Sequence, residues 1–210
     1  MKFLHKALLA CLILLTNISW AQDSRFDGFS VILANTFETG TFSTYVGKIS
    51  ENDSGPDLRI QYTVQFKNNL TLGAIFETGL SNQRVGTFYK SGWTLRDRSS
   101  IGIVPGVIFD QNNQLFGKIA VISAKLNTGS QNTASYFESE STKDGVGYGI
   151  GIRHQFTKNV FAQVSYEECQ YDKFIIDSVV NIASGITQYT RSTISPVTSN
   201  GLSIGIGYQF

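Results

Sequence analysis

The sequence predicts an all-β chain: eight antiparallel strands closed into an up-and-down transmembrane β-barrel, with short turns at one end and long loops at the other. Three observations predict it. Apolar residues recur at every second position in eight segments of about ten residues, the period that sorts side chains onto opposite faces of a strand and the length that a tilted strand needs to cross a bilayer. The connections alternate strictly between short and long. Four phenylalanines fall in the same parity at the same end of four strands.

The first strand covers residues 28–37, with Phe29, Val31 and Leu33 on one face. Residues 57–67 alternate without a fault, setting Leu58, Ile60, Tyr62, Val64 and Phe66 against Arg59, Gln61, Thr63, Gln65 and Lys67. Asn68-Asn69 then makes a tight turn, because asparagine tolerates positive φ. Leu70, Leu72, Ala74 and Phe76 carry the apolar face back. A second hairpin descends through Ile101, Ile103, Pro105, Val107 and Phe109, turns at Asp110–Asn113, and returns through Leu115, Gly117, Ile119 and Val121. Pro105 cannot donate to a ladder, so a bulge is expected there. The third hairpin runs from Val146 to Phe156, turns at Thr157-Lys158-Asn159, and returns through Val160, Ala162, Val164 and Tyr166. Residues 201–210 close the set, with Leu202, Ile204, Ile206, Tyr208 and Phe210 facing one way and Ser203, Gly205, Gly207 and Gln209 the other.

An even number of strands can close and leave no exposed edge. The non-apolar face of the last strand is small and uncharged, which suits a crowded lumen with lipid outside. The loops expected at residues 38–56, 79–98, 126–144 and 168–200 are rich in Ser, Thr, Asn, Asp and Gly. Short periplasmic turns and long extracellular loops are the asymmetry of outer-membrane barrels. The loop at 168–200 is unusually apolar, with Phe174-Ile175-Ile176 and Val179-Val180; it forms either extended strands or a contact surface. The strands over 57–67, 101–109, 146–156 and 201–210 each carry a phenylalanine at or next to their last residue, and Phe66, Phe109, Phe156 and Phe210 form an expected aromatic belt at the periplasmic interface.

The compartment follows from the start of the chain. Lys2 and Lys6 precede an apolar run from Ala7 to Leu15, and Ser19-Trp20-Ala21 offers small residues for cleavage, so residues 1–21 are expected to be a signal peptide and residues 22–210 the barrel. Removing the leader's two lysines leaves 15 basic against 16 acidic residues, a net charge of −1 that argues against nucleic acid as a partner. Of two cysteines only Cys169 lies beyond residue 21, so no intrachain disulfide is expected. Three prolines, 20 glycines and 15 phenylalanines in 210 residues agree with an all-β chain.

The segment Val146-Gly147-Tyr148-Gly149-Ile150-Gly151-Ile152-Arg153-His154-Gln155-Phe156-Thr157-Lys158-Asn159-Val160, with Ser165-Tyr166-Glu167, resembles the glycine-alternating hairpin of small Gram-negative outer-membrane barrels. That group comprises the OmpA transmembrane domain, OmpX and the opacity proteins. The terminal Tyr208-Gln209-Phe210 is similar to the family's C-terminal signal, which implies that Tyr208 and Phe210 are read by the barrel-assembly machinery. The resemblance implies location in the cell outer membrane. Its members range from structural anchors to adhesins and enzymes, so it implies a barrel more firmly than a role. The chain departs from the OmpA pattern by ending with the barrel, so wall anchoring is not expected.

Inward parity selects Arg59, Glu77, Lys118, Arg153 and Glu167, three cations and two carboxylates. Unpaired charge is costly in a narrow lumen, so these are expected to pair. A salt-bridge plug is the favoured reading, because eight strands leave an interior just wide enough for side chains to fill; a gated ion path is the alternative. Gly145, Gly147, Gly149 and Gly151 are spaced by two, unlike a nucleotide-binding G-x-G-x-x-G, and are expected to leave room for bulky lumen groups. His154 is the only histidine after residue 21, lies in outward parity near the periplasmic end, and lacks a nearby serine, which argues against a lipid-modifying enzyme. Glu167 and Glu168 are adjacent and face opposite sides of a strand, so they are no hydrolytic pair. No metal or cofactor is expected. The expected function is therefore a structural or surface-interaction, adhesin-like role carried by the loops, with outer-membrane lipid as surroundings and host or matrix surfaces as the candidate ligand. A narrow channel is the alternative, and a lipid A-modifying enzyme a distant one.

Overall fold

The computed structural model describes residues 25–44, 47–88, 91–127, 140–182, 186–194 and 197–210. The proposed leader and most of the 126–144 loop lie outside the described residues. Eleven strands appear: β1 Gly28–Thr44, β2 Gly47–Gln65, β3 Leu70–Gly79, β4 Gln83–Phe88, β5 Ser91–Ile108, β6 Asn113–Asn127, β7 Glu140–Gln155, β8 Val160–Tyr171, β9 Phe174–Ile182, β10 Ile186–Ile194 and β11 Thr198–Gln209. Eight of them, β1, β2, β3, β5, β6, β7, β8 and β11, pair antiparallel in one closed ring, with β1 against β11 and β3 against β5 completing it. Closure satisfies every backbone ladder and removes the free edges of an open sheet.

The alternation does what a period of two requires. Along β11 the burial pattern switches at every residue, leaving Leu202, Ile204, Ile206, Tyr208 and Phe210 exposed on the outside. Ile101, Ile103, Ile119, Val121, Tyr148, Ile150, Ile152, Val164 and Tyr166 are exposed on the same outer surface. A contiguous apolar band of this kind is untenable in water and is the surface that a lipid bilayer wets.

Two expectations need correction. The segments 38–56 and 79–98 are largely strand, because the ladder of β1 and β2 continues to Thr44↔Gly47 and β4 pairs with the start of β5. Their polar composition hid a continuing alternation: Phe42, Val85, Trp93 and Leu95 point inward and are buried, while Ser, Thr and Asn face water. Of the two alternatives for 168–200, it is strands that form: β8 extends to Tyr171, and β9 and β10 pair with each other as a separate hairpin. The second correction concerns Pro105, where no bulge forms. The register of β5 is unbroken across it towards both β3 and β6, and the ladder to β6 merely skips Val104 and Pro105. The shift in β5 falls instead between Arg96 and Ser99, where Asp97 takes φ 50°. Asn69 has φ 61°, as a two-asparagine turn requires.

Beyond the apolar outer band the wall becomes a second compartment. Phe42, Val85, Trp93, Leu95, Ile122, Ala124, Leu126, Tyr171 and Val197 form one buried cluster inside it, with Ile49 and Cys169 packed against it. The Phe42 and Trp93 rings stack at 4.5 Å and 10°. Inside the apolar outer band the lumen carries the buried charges, with a small apolar cluster of Ile75, Val104 and Phe116, whereas beyond the band the interior is mainly apolar and the outer face polar.

Candidate functional site

The lumen is filled in layers, each set by which inward position of each strand reaches that height. At the middle, β2 supplies Arg59, β3 Glu77, β6 Lys118 and β8 Glu167. Arg59 Nε lies 3.1 Å from Glu77 and Nη1 lies 2.9 Å from Glu167. Lys118 Nζ lies 2.7 Å from Glu77 and also donates to Glu167. Each carboxylate thus bridges both cations, a closed square across four strands. Ser203 accepts from Arg59 at 2.7 Å, Ser100 donates to Glu77 at 2.6 Å, and Ser165 donates to Glu167 at 2.9 Å.

A second charged layer stands next to it on the side of the long connections. Arg98 pairs with Glu38 and, at 3.2 Å, with Asp57; Gln83 donates to Glu38 and accepts from Arg98, while Thr36 donates to Asp57. Asp57 also sits 3.8 Å from Arg59, which links the layers. Glu38, Asp57 and Arg98 were missed from the sequence. The signal was present: Glu38 keeps the inward parity of Thr36, Gly40 and Phe42 but, like Arg98, fell in a segment that looked like a loop, while Asp57 shares the parity of Arg59 at the first position of the strand expected over 57–67.

Arg153 does not join the square, contrary to expectation. It lies one layer nearer the short turns, fully buried at 1 % exposure, and no carboxylate is within ion-pair distance among the described residues. Its Nη2 donates to Gln61 at 2.9 Å and Gln163 at 3.0 Å, and its guanidinium lies 4.3 Å from the centroid of the Phe161 ring and 5.7 Å from that of Phe116. Amide oxygens and ring faces replace the carboxylates, an arrangement that suits a planar, weakly hydrated cation. Parity gives the face of a residue but not its height, and the stagger of β7 puts Arg153 below the two glutamates. Glycine makes the room: a Cβ at Gly151 would come within 2.5 Å of Phe116, and one at Gly207 within 2.2 Å of Phe161.

Across these three layers, Arg59, Arg98, Lys118 and Arg153 balance Glu38, Asp57, Glu77 and Glu167, so the charges described there sum to zero. What remains open around the charged layers is a cavity of about 50 Å³ lined by both. At ~10–15 Å³ per water in this measure, that is space for a few waters and not for an aqueous pore.

The four phenylalanines sit at one height for a backbone reason. The N–H groups of Phe66, Phe109 and Phe156 donate to Leu70, Asn113 and Val160 at 2.8, 3.2 and 2.9 Å, each closing the first bond of a short turn, and Phe210 donates to Phe29 at 2.9 Å. All four rings are exposed on the outer face, and Phe210 contacts Tyr208 edge-on at 4.9 Å and Phe29 at 5.8 Å. His154 shares this rim, bonded to Asn113 at 2.8 Å and edge-on to Phe156 at 4.9 Å. Cys169 is a half-buried free thiol on β8. Beyond the apolar band, Lys125 bonded to Asp97 at 2.8 Å holds its carboxyl below the usual range. In the β5–β6 turn the Asn112 N–H and the Asn113 side chain do the same for Asp110.

Residues 7–210 match the model of the "Outer membrane protein beta-barrel domain" family. Among solved structures, Ail, the attachment invasion locus protein of Yersinia pestis, superposes with a TM-score of 0.51 at 15 % identity, covering 88 % of this chain and 99 % of that one. Neisserial surface protein A gives a TM-score of 0.50 at 18 % identity, covering 88 % and 98 %. The outer membrane protein OprG from Pseudomonas aeruginosa gives 0.51 at 11 % identity, covering 90 % and 99 %. At such identities the likeness is one of fold. A search of curated proteins finds no match.

Proposed function

This chain belongs to the outer-membrane β-barrel family, and from that premise we propose that it is a non-conducting barrel with a structural or surface-interaction, adhesin-like role at its long-connection end. The observation that carries the reading is the filled interior. A plug of paired charges in the middle and an apolar core beyond it, among the described residues, support a lumen closed to ions. Ions crossing such a lumen would have to shed their hydration and break the Arg59–Glu77–Lys118–Glu167 square, and nothing in the apolar cap replaces the lost water.

Planar-bilayer recording tests this. The purified barrel is expected to show no discrete conductance steps above the bare bilayer. Reproducible steps that change in Lys118→Ala would replace this reading with the narrow channel.

The surface role rests on what the outer half is made of. Long ladders of β1 with β2 and β5 with β6 run on past the apolar band, and the β9–β10 hairpin adds the sequences Phe174–Ile182 and Ile186–Ile194, rich in Ile and Val. Removing residues 172–195 is expected to leave the ring folded and to abolish attachment of expressing cells to host-cell or matrix surfaces. Attachment at full strength would assign the contact elsewhere. Export through residues 1–21, a membrane-interface belt of Phe66, Phe109, Phe156 and Phe210, and assembly-machinery recognition of Tyr208 and Phe210 belong to the same proposal.

A further inference from the structure

The chain just before β1 does not run on as an extension of the strand. Gly28 has φ 115°, a left-handed value that turns the backbone inward, and a Cβ there would meet the Phe210 carbonyl at 3.1 Å. Residues 25–27 then cross the mouth of the barrel on the side of the short turns. Arg25 donates to Asn112, in the turn between β5 and β6. In the ring order β1-β2-β3-β5-β6-β7-β8-β11 that turn stands nearly opposite β1. Asp27 grips the near rim at two points, its carboxylate accepting from the Gln65 N–H at 3.3 Å and its carbonyl from the Gln209 side chain. Phe26, held between these tethers, is 1 % exposed although it belongs to no strand.

We propose that Arg25-Phe26-Asp27 is a removable stopper in the turn-side mouth, and that its displacement opens a dead-end vestibule whose floor is the Arg153 layer. Two features set it apart from an ordinary strand end. All of its tethers involve a side chain, and no backbone-to-backbone bond among the described residues joins 25–27 to the rim, so it can leave without breaking a ladder bond. A cavity of about 410 Å³ already lies beside it, lined by Arg25, Phe26, Gln65, Asn69 and Ile108 among others, so the ring has somewhere to go. Displacement would wet Gln114, which neighbours Ile108 and Arg153 in the sheet and is 1 % exposed. The charged square and the apolar cap would still block passage, so the vestibule ends inside the barrel. The inference goes beyond the surface role and is independent of its ligand.

The test uses Gln114→Cys in a Cys169→Ser background, with a charged, membrane-impermeant thiol reagent as the probe. Folding is checked by resistance of the barrel to unfolding in cold detergent. Labelling is expected to be slow with the stopper in place and at least tenfold faster in Phe26→Ala, with Arg25→Ala between the two. Bilayer conductance is expected to stay absent in all of them. Unchanged labelling in both variants would overturn the stopper. So would loss of the folded barrel in both, since the segment would then be part of the wall. Faster labelling accompanied by conductance would uphold the stopper while refuting the closed lumen.

Discussion

Arg59→Met is expected to destabilise the barrel by about 3–5 kcal/mol, the cost typical of removing one partner from a buried ion pair. Arg59 holds Glu77 and Glu167 at once and touches Asp57, so its loss leaves four carboxylates, Glu38, Asp57, Glu77 and Glu167, facing only Lys118 and Arg98. The double variant Arg59→Met/Glu167→Gln removes one charge of each sign and leaves Lys118 paired with Glu77, so it is expected to cost less than Arg59→Met alone. Urea unfolding in lipid vesicles, followed by fluorescence of Trp93, measures both. A loss of less than 1 kcal/mol for Arg59→Met would mean that water enters freely enough to solvate the stranded carboxylates, and the plug would not be dry.

Phe42→Ala is expected to loosen the apolar cap by a similar amount, about 3–5 kcal/mol for a buried phenylalanine cut back to the methyl. Phe42 is 1 % exposed, stacked on Trp93 of β5, and buried in one cluster with Val85 of β4. The loss is local, because the ring of ladders below the cap does not depend on that contact. Cys169 reports it directly: it packs against the same cluster. Its modification by a water-soluble thiol reagent is expected to accelerate by roughly a hundredfold, the factor that ~3 kcal/mol of easier opening supplies. Unchanged Cys169 reactivity would show that the cap is held by something other than this aromatic pair.

The strand set and its closure were legible because both faces of the apolar segments obey one period. The inward orientation of Arg59, Glu77, Lys118 and Glu167 was legible for the same reason. Contact was not. Whether two inward residues meet depends on the stagger between strands far apart in the ring, and that stagger puts Arg153 among Gln61, Gln163 and Phe161 instead of beside a glutamate. The extensions of β1, β2 and β5 escaped notice because Ser, Thr and Asn look like loop composition unless every second residue is followed: Phe42, Trp93 and Leu95 are the inward members of those runs. The stopper left no sequence signal at all. Phe26 is a lone phenylalanine ahead of the first alternation, and only the φ of Gly28 and the tethers to Asn112, Gln65 and Gln209 reveal its place.

The length of β2 has a consequence for recognition. Its 19 residues, at ~3.3 Å each and tilted by ~40°, rise about 45–50 Å, of which a band of ~25 Å lies in hydrocarbon. The remainder is a mast roughly 20 Å tall, stiffened from within by the stacked Phe42 and Trp93. Under the proposed surface role, a contact surface carried on such a mast would meet its partner at a fixed standoff from the lipid. The paired strands of the mast are already ordered, so contacts made by them would lose little chain entropy on binding.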